Sequence, residues 1–308
     1  MSPLHRRAWV VQERLLAPRM LHYGKRQLFW DCNEHLACEA YPNGMTYENS
    51  GRWDTGQSGR LLMNIQRLSE ISKADRVVDL QHGWAAIVNM YTRGNLTFAG
   101  DKLLALSGIA TELQRTTADD YLAGIWRSNL SQQLLWRTAY LDGEPSGVKP
   151  PEYRAPSWSW ASLDGKIFLG NLLESPSVPA ASILDAQVST IDDNNTGQVS
   201  HGILRVHGHI MEIEKGRLRF CSTKDPLGNL VLYEQLELYF DTREDAELQP
   251  PVDMVFCLPL VFSGITGRST RVKGVLLKSC DDEANKGKYR RIGRFKTSTV
   301  AFSSLKNQ

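Results

Sequence analysis

The stretch GEPSGVKPPEYRAP, residues 143–156, decides the fold. Its prolines remove amide donors and clash with a preceding helical turn, and its glycines add backbone freedom, so no helix passes through it. The sequence on either side follows different periodicities. On the N-terminal side Trp84, Ile87, Val88 and Tyr91 share one face of a helix opened at Gly83-Trp84 and stopped at Arg93-Gly94. Asp101 starts a second helix with Leu103, Leu104, Leu106, Ile109, Ala110 and Leu113 as its apolar stripe. A third is predicted from Thr117, with Asp119 and Asp120 in its first turn and Tyr121, Leu122, Ile125, Trp126, Leu134 and Leu135 buried. On the C-terminal side come short β-type runs separated by turn residues: SWSWAS, AQVSTI, ILRVHGHIMEI, LVLYEQLELYF, MVFCLPLVF, VKGVLLKS, YRRIGRF and TVAFSS. The sequence therefore predicts an α+β fold, a helical part over 1–142 packed on an antiparallel β-sandwich or barrel over 143–308.

Composition bounds the function. At 308 residues, 42% hydrophobic and 23% charged, the chain reads as globular and not as a disordered or collagen-like sequence. A net charge of +2 falls short of the basic excess of nucleic-acid binders, so no nucleic-acid partner is expected. Five scattered cysteines (Cys32, Cys38, Cys221, Cys257, Cys280) do not form a dense disulfide framework and fit reduced thiols in a cytoplasmic setting. The longest apolar run, Met254 to Phe262, contains Pro259 and is too short to span a bilayer, and no signal-peptide pattern opens the chain. The sequons at Asn95, Asn129 and Asn194 are read as chance.

Residues 7–32, RAWVVQERLLAPRMLHYGKRQLFWDC, resemble the third conserved block of the fungal heterokaryon-incompatibility (HET) family. Arg7, Trp9, Gln12, Glu13, Arg19, Trp30, Asp31 and Cys32 carry the match, and DKLLALSGIA, YLAGIW, QLLWR, YRAPSWSWAS, FCLPL and YRRIGRF look like the region that commonly follows it. The family's two earlier blocks, which belong to a TIR-like half, do not occur in the sequence. If the family's cell-death activity resides in that half, this chain is expected not to trigger it alone.

Several constellations suggest chemistry, each with a plainer reading beside it. Cys32-x-x-His35-x-x-Cys38 offers three soft ligands where structural zinc takes four, and reads equally as a strand and turn. His207 and His209, with His201 nearby, read first as a polar strand face. Asp281-Asp282-Glu283 has the carboxylates of a magnesium site but precedes the turn-like Asn285-Lys286-Gly287-Lys288. Nucleophile elbows, phosphate-cradling glycine loops and dinucleotide fingerprints are missing, so no metal and no cofactor are expected.

Glu13 and Arg19 form an internal ion pair or hold a polar substrate group. Trp158 and Trp160 alternate with serines and are expected on one sheet face, with Tyr153 and Arg154 just before them. Together with Trp9 and Trp30 they are candidates for an apolar binding wall, and their plain reading is core packing. With no cofactor motif and no nucleophile in the sequence, the HET resemblance implies a scaffold of fungal secondary metabolism, expected to act as a small-molecule cyclase on a hydrophobic, terpenoid-like substrate. Confinement and a hydrogen bond to a carbonyl would drive a pericyclic reaction, with Arg19, Arg154 and Glu13 as the polar groups. The alternative is a non-enzymatic interaction or regulatory protein of heterokaryon incompatibility. The oligomeric state is left open.

Overall fold

The computed structural model describes residues 7–32, 35–45, 73–169, 177–214, 217–218, 223–224, 230–233, 236–248, 254–264, 269–280 and 285–301. Sheet predominates, with 42% strand and 24% helix, in an α+β arrangement. Asp281-Asp282-Glu283 and Cys221 lie outside the described residues.

The N-terminal motif is not purely helical. A short helix, α1 (Trp9–Leu16), leads into an antiparallel meander of β1 (Arg19–Tyr23), β2 (Leu28–Cys32) and β3 (Leu36–Cys38). Two longer helices follow, α2 (Lys73–Tyr91) and α3 (Asp101–Thr117). Their expected apolar faces are buried: Trp84, Ile87, Val88 and Tyr91 on α2, and Leu103, Leu106, Ile109, Ala110 and Leu113 on α3. Helix α1 lies close against α3 at Gly108, whose amide donates to Gln12 Oε1 at 2.8 Å. A Cβ on Gly108 would come within 2.9 Å of the end of the Leu16 side chain, so any larger residue here would make Leu16 and Gln12 shift.

The third predicted helix is replaced by a hairpin. Tyr121–Leu122 pairs with Ile125–Trp126, and only short helical turns, Arg127–Asn129 and Leu130–Gln133, follow. The residues expected to be buried there are buried, but Ala123 at φ +48° and Gly124 at φ +102° reverse the chain where a helix would continue.

The C-terminal part contains a two-stranded ribbon, β4 (Ser182–Thr190) with β5 (Val199–His207), and a large antiparallel sheet. Its principal strands are β6 (Met211–Glu214), β7 (Glu237–Phe240), β8 (Val255–Ser263), β9 (Ser269–Ser279) and β10 (Tyr289–Ala301). Strand β8 lies between β6 and β9, β9 pairs with β10, and β7 pairs with the far side of β10. Among the described residues the sheet stays open and forms no closed barrel.

Strand β8 is buried along almost its whole length, which explains its unbroken apolar run. Its Pro259 sits beside an irregularity in the pairing with β9, where a missing amide donor is tolerated. Side chains alternate between two clusters. Leu258, Leu260, Val275 and Leu277 join the main core with α1, α2 and α3, while Cys257, Val272, Leu276 and Phe295 form a second core on the other face. The main core runs from Ala8 to Leu277 across the 143–156 stretch.

Candidate functional site

The Ala123-Gly124 turn is buried, so its two carbonyls need partners from elsewhere. The Gly124 carbonyl accepts the indole N–H of Trp84 at 2.8 Å and that of Trp160 at 2.7 Å. The Ala123 carbonyl accepts the Ser159 hydroxyl at 2.5 Å. SWSWAS is therefore not a strand. Ser159 Oγ also accepts from Ala161 N at 3.0 Å, capping a single 3₁₀ turn over Trp160–Ser162. Trp158 and Trp160 consequently do not share a sheet face. Trp160 is completely enclosed, at 0% exposure, with its donor used by Gly124. Trp158 is half-buried beside Gly202 of the ribbon, and its Nε1 is shielded from solvent without an acceptor among the described residues.

Beside this turn lies a cluster of buried charges. Arg154 is buried, and its Nε donates to Ala161 O at 2.8 Å and its Nη1 to Ala99 O at 3.1 Å. Its Nη2 makes an ionic contact with Asp164 Oδ1 at 2.9 Å, off the hydrogen-bond line. The same oxygen takes Lys102 Nζ at 3.2 Å, and that ammonium also donates to Leu163 O at 2.6 Å. The Asp164 side chain is 46% exposed, whereas those of Lys102 and Arg154 are 5% exposed. Tyr91 donates its hydroxyl to Lys102 O at 2.8 Å.

Burial is the main force on the lysine. Desolvation, reinforced by Arg154 and opposed by Asp164, lowers the Lys102 pKa to about 8. Desolvation pushes the Asp164 carboxyl upward, but Lys102 and Arg154 outweigh it and hold the group below its ordinary range. Burial raises the Tyr91 phenol, which stays protonated.

Lys102 and Asp164 were not singled out from the sequence. The signal for Lys102 is its spacing: it begins the same stripe as Ala105, Leu106, Ile109 and Leu113, which points a lysine inward. Asp164 carries no periodic signal.

No family model, curated protein or solved structure matches this chain. The HET likeness thus remains a resemblance carried by the motif residues, whose placement is clear. Trp9 packs against the main core, and Ala8 N donates to Asn95 O, tying the motif to the α2–α3 connection. Glu13 and Arg19 are both exposed, and no ion pair joins them among the described residues. Asp31 instead approaches Arg14 and His22, each at 3.9 Å. Trp30 stands opposite Leu21 on the outer face of the meander.

Thus Arg154 and Trp160 meet around Ala161, with Trp158 following the buried Pro156, while Tyr153 projects outward at 58% exposure. Glu13, Arg19 and Trp30 lie on α1 and the meander, with no hydrogen bond or ion pair to that cluster among the described residues.

The soft-ligand candidates are separated by their backbone. Cys32 Sγ donates to His35 O at 3.4 Å across the β2–β3 turn, and His201 and His207 occupy the outward face of β5, with His209 beyond its end. Among the described residues no group of three His, Cys, Asp or Glu is placed to hold a metal ion, and no helix is long and apolar enough to cross a membrane.

Proposed function

We propose that the chain is a HET-derived small-molecule cyclase. It would bind a largely apolar, carbonyl-bearing substrate beside Lys102 and Asp164, and cyclise it by confinement and hydrogen-bond donation. The observation carrying this reading is Lys102, an enclosed ammonium whose pKa is lowered toward neutrality and which is paired with the half-exposed Asp164. Strongly shifted groups beside a specific charge partner mark functional sites. A proton donor held in a desolvated setting stabilises negative charge developing on a substrate carbonyl by about 3–4 kcal/mol. A pericyclic step needs no electron donor or leaving group: bonds form and migrate within one molecule, and the product is an isomer of the substrate.

The test compares metabolites from strains with the intact gene, without it, and with Lys102→Met. The expected result is an isomer of unchanged mass that forms only with the intact gene. Identical profiles with and without the gene would overturn the reading.

A second reading, a non-enzymatic interaction protein, is favoured by the outer face of the meander, where Leu21 is 45%, Trp30 38% and Tyr23 82% exposed. It expects unchanged metabolites and a growth or compatibility phenotype lost on Tyr23→Lys.

A further inference from the structure

A second cluster of cations lies at the border between the short strand pairs and the far edge of the large sheet. Arg137 and Phe168 are cross-strand partners in the small pair Arg137–Thr138 with Ile167–Phe168. The Arg137 guanidinium stands 4.5 Å from the Phe168 ring centroid and Lys166 Nζ stands 4.6 Å from it. On β10 the Arg294 guanidinium lies 4.9 Å from the Tyr239 ring of β7, and Lys296 Nζ 5.8 Å. Tyr140 meets Tyr239 edge to face at 6.0 Å, closing the gap between the two groups. Across the sheet, Lys273 of β9 is paired directly with Lys296, a like-charge juxtaposition that sheets ordinarily avoid.

The nearby carboxylates do not neutralise this cluster. Asp241 is occupied by Arg291, and Glu237 by Lys296 and the Tyr239 hydroxyl. Arg137, Lys166 and Arg294 have no carboxylate within ion-pair distance among the described residues. Arg294 Nε is shielded from solvent without an acceptor among them. Desolvation, with the like charges of Arg137 and Arg291, lowers the Arg294 pKa against the opposing pull of Tyr239 and Asp241, and a bound anion would add to that pull.

We infer that Arg137, Lys166 and Arg294 form a binding site for a small ligand carrying a phosphate or diphosphate group. Guanidinium forks match phosphate oxygens in geometry, and a dianion neutralises two of the three cations where a carboxylate neutralises one. The rings of Phe168 and Tyr239 already hold the long side chains in place, so less ordering entropy is lost on binding. The sequence has no phosphate loop, so this site would work through side chains rather than a backbone cradle. It shares no residue with the Lys102 cluster and stands independently of the cyclase reading.

The experiment is calorimetric titration of the full chain with inorganic diphosphate and, separately, with adenosine diphosphate, at low salt and at 0.15 M. Saturable binding of both, weaker at the higher salt, is expected. Arg294→Gln and Arg137→Gln should each weaken binding about tenfold or more, as loss of a charge-assisted hydrogen bond implies. Lys166→Gln, off the large sheet beside the Ile167–Phe168 strand, provides a second variant if Arg294→Gln does not fold. Arg115→Gln, on the exposed face of α3, should titrate like the native chain. Absence of saturation by either compound overturns the proposal. So does equal binding by the native chain, Arg137→Gln and Lys166→Gln, and so does binding of the nucleotide without the diphosphate.

Discussion

Replacing Arg291 with methionine should be among the most damaging single changes in this protein. Arg291 is 5% exposed and its guanidinium is fully engaged. Nε and Nη2 grip Asp241 at 3.0 and 3.1 Å, Nη2 also donates to Trp136 O at 2.6 Å, and Nη1 donates to Leu134 O. The cation lies 3.5 Å from the Trp136 ring centroid. One side chain of β10 thereby ties the large sheet to the segment after the buried hairpin. In Arg291→Met, Asp241, itself 3% exposed, loses its cation, and two buried carbonyls lose their donor. Breaking a buried ion pair from one side costs about 3–5 kcal/mol. At roughly 2–4 °C per kcal/mol for a large domain, the melting temperature should fall by about 6–20 °C.

The cost should depend on pH. Desolvation already holds the Asp241 carboxyl above its ordinary range despite the opposing pull of Arg291, and removing the arginine raises it further. The folded state then binds a proton that the unfolded chain releases. The penalty is therefore largest above the folded pKa and is relieved as pH falls through it. Urea denaturation of both proteins at pH 5 and pH 8 measures this: the gap should narrow at pH 5. A gap below about 1 kcal/mol, well under the one-sided cost, or one equal at both pH values, refutes the reasoning.

Two further outcomes follow from particular groups. Lys102 has its folded pKa lowered to about 8 from 10.5, so between those values the unfolded chain binds more protons and stability rises with pH. Relative to Lys102→Met, the native chain should gain up to about 1.4 kcal/mol per pH unit in that window, read from urea curves at pH 8 and pH 9.5. Unchanged relative stability would show that Lys102 ionises as in water. Ala118 ends α3 at φ +54° on an exposed position, where glycine carries no Cβ penalty, so Ala118→Gly should stabilise by about 0.5–1 kcal/mol. A loss of stability in thermal denaturation would contradict the left-handed cap.

The two long helices were legible because each buries a single stripe, and their spacing survives any arrangement of the neighbours. The strands of the large sheet were legible as short apolar runs, although YRRIGRF and the first three residues of TVAFSS, Thr299–Ala301, belong to one strand and ILRVHGHIMEI divides between β5 and β6. The segment after Thr117 misled for a physical reason. In a two-residue hairpin buried on both faces, Tyr121, Leu122, Ile125 and Trp126 recur at spacings that also fit a helix, and the left-handed Ala123 gives no warning in its identity. SWSWAS misled through the opposite period, its alternation overridden by the Ser159 cap. The candidate site followed the same logic. Arg154 and Trp160 stood out in the sequence as candidate donors to a substrate carbonyl, whereas in the fold their donors meet backbone carbonyls, which a sequence does not reveal.

Those acceptors exist because a turn has been buried. Enclosing Ala123-Gly124 leaves carbonyls that no ladder can satisfy, and leaving such a group unpaired costs about 1–3 kcal/mol. Three donors from distant segments, Trp84, Ser159 and Trp160, converge on it. Indole serves well here because it adds a single, directionally fixed N–H to a large apolar ring, so it can satisfy one acceptor inside a core without importing a charge. Ser159 and Trp160 bind the turn, while Arg154 holds the next residue, Ala161, and reaches Asp164. The residues most suggestive of substrate recognition in the sequence thus hold the scaffold. Next to that scaffold the Asp164 carboxylate is half-exposed, and Lys102, the donor of the proposed cyclase reading, is paired with it at 3.2 Å.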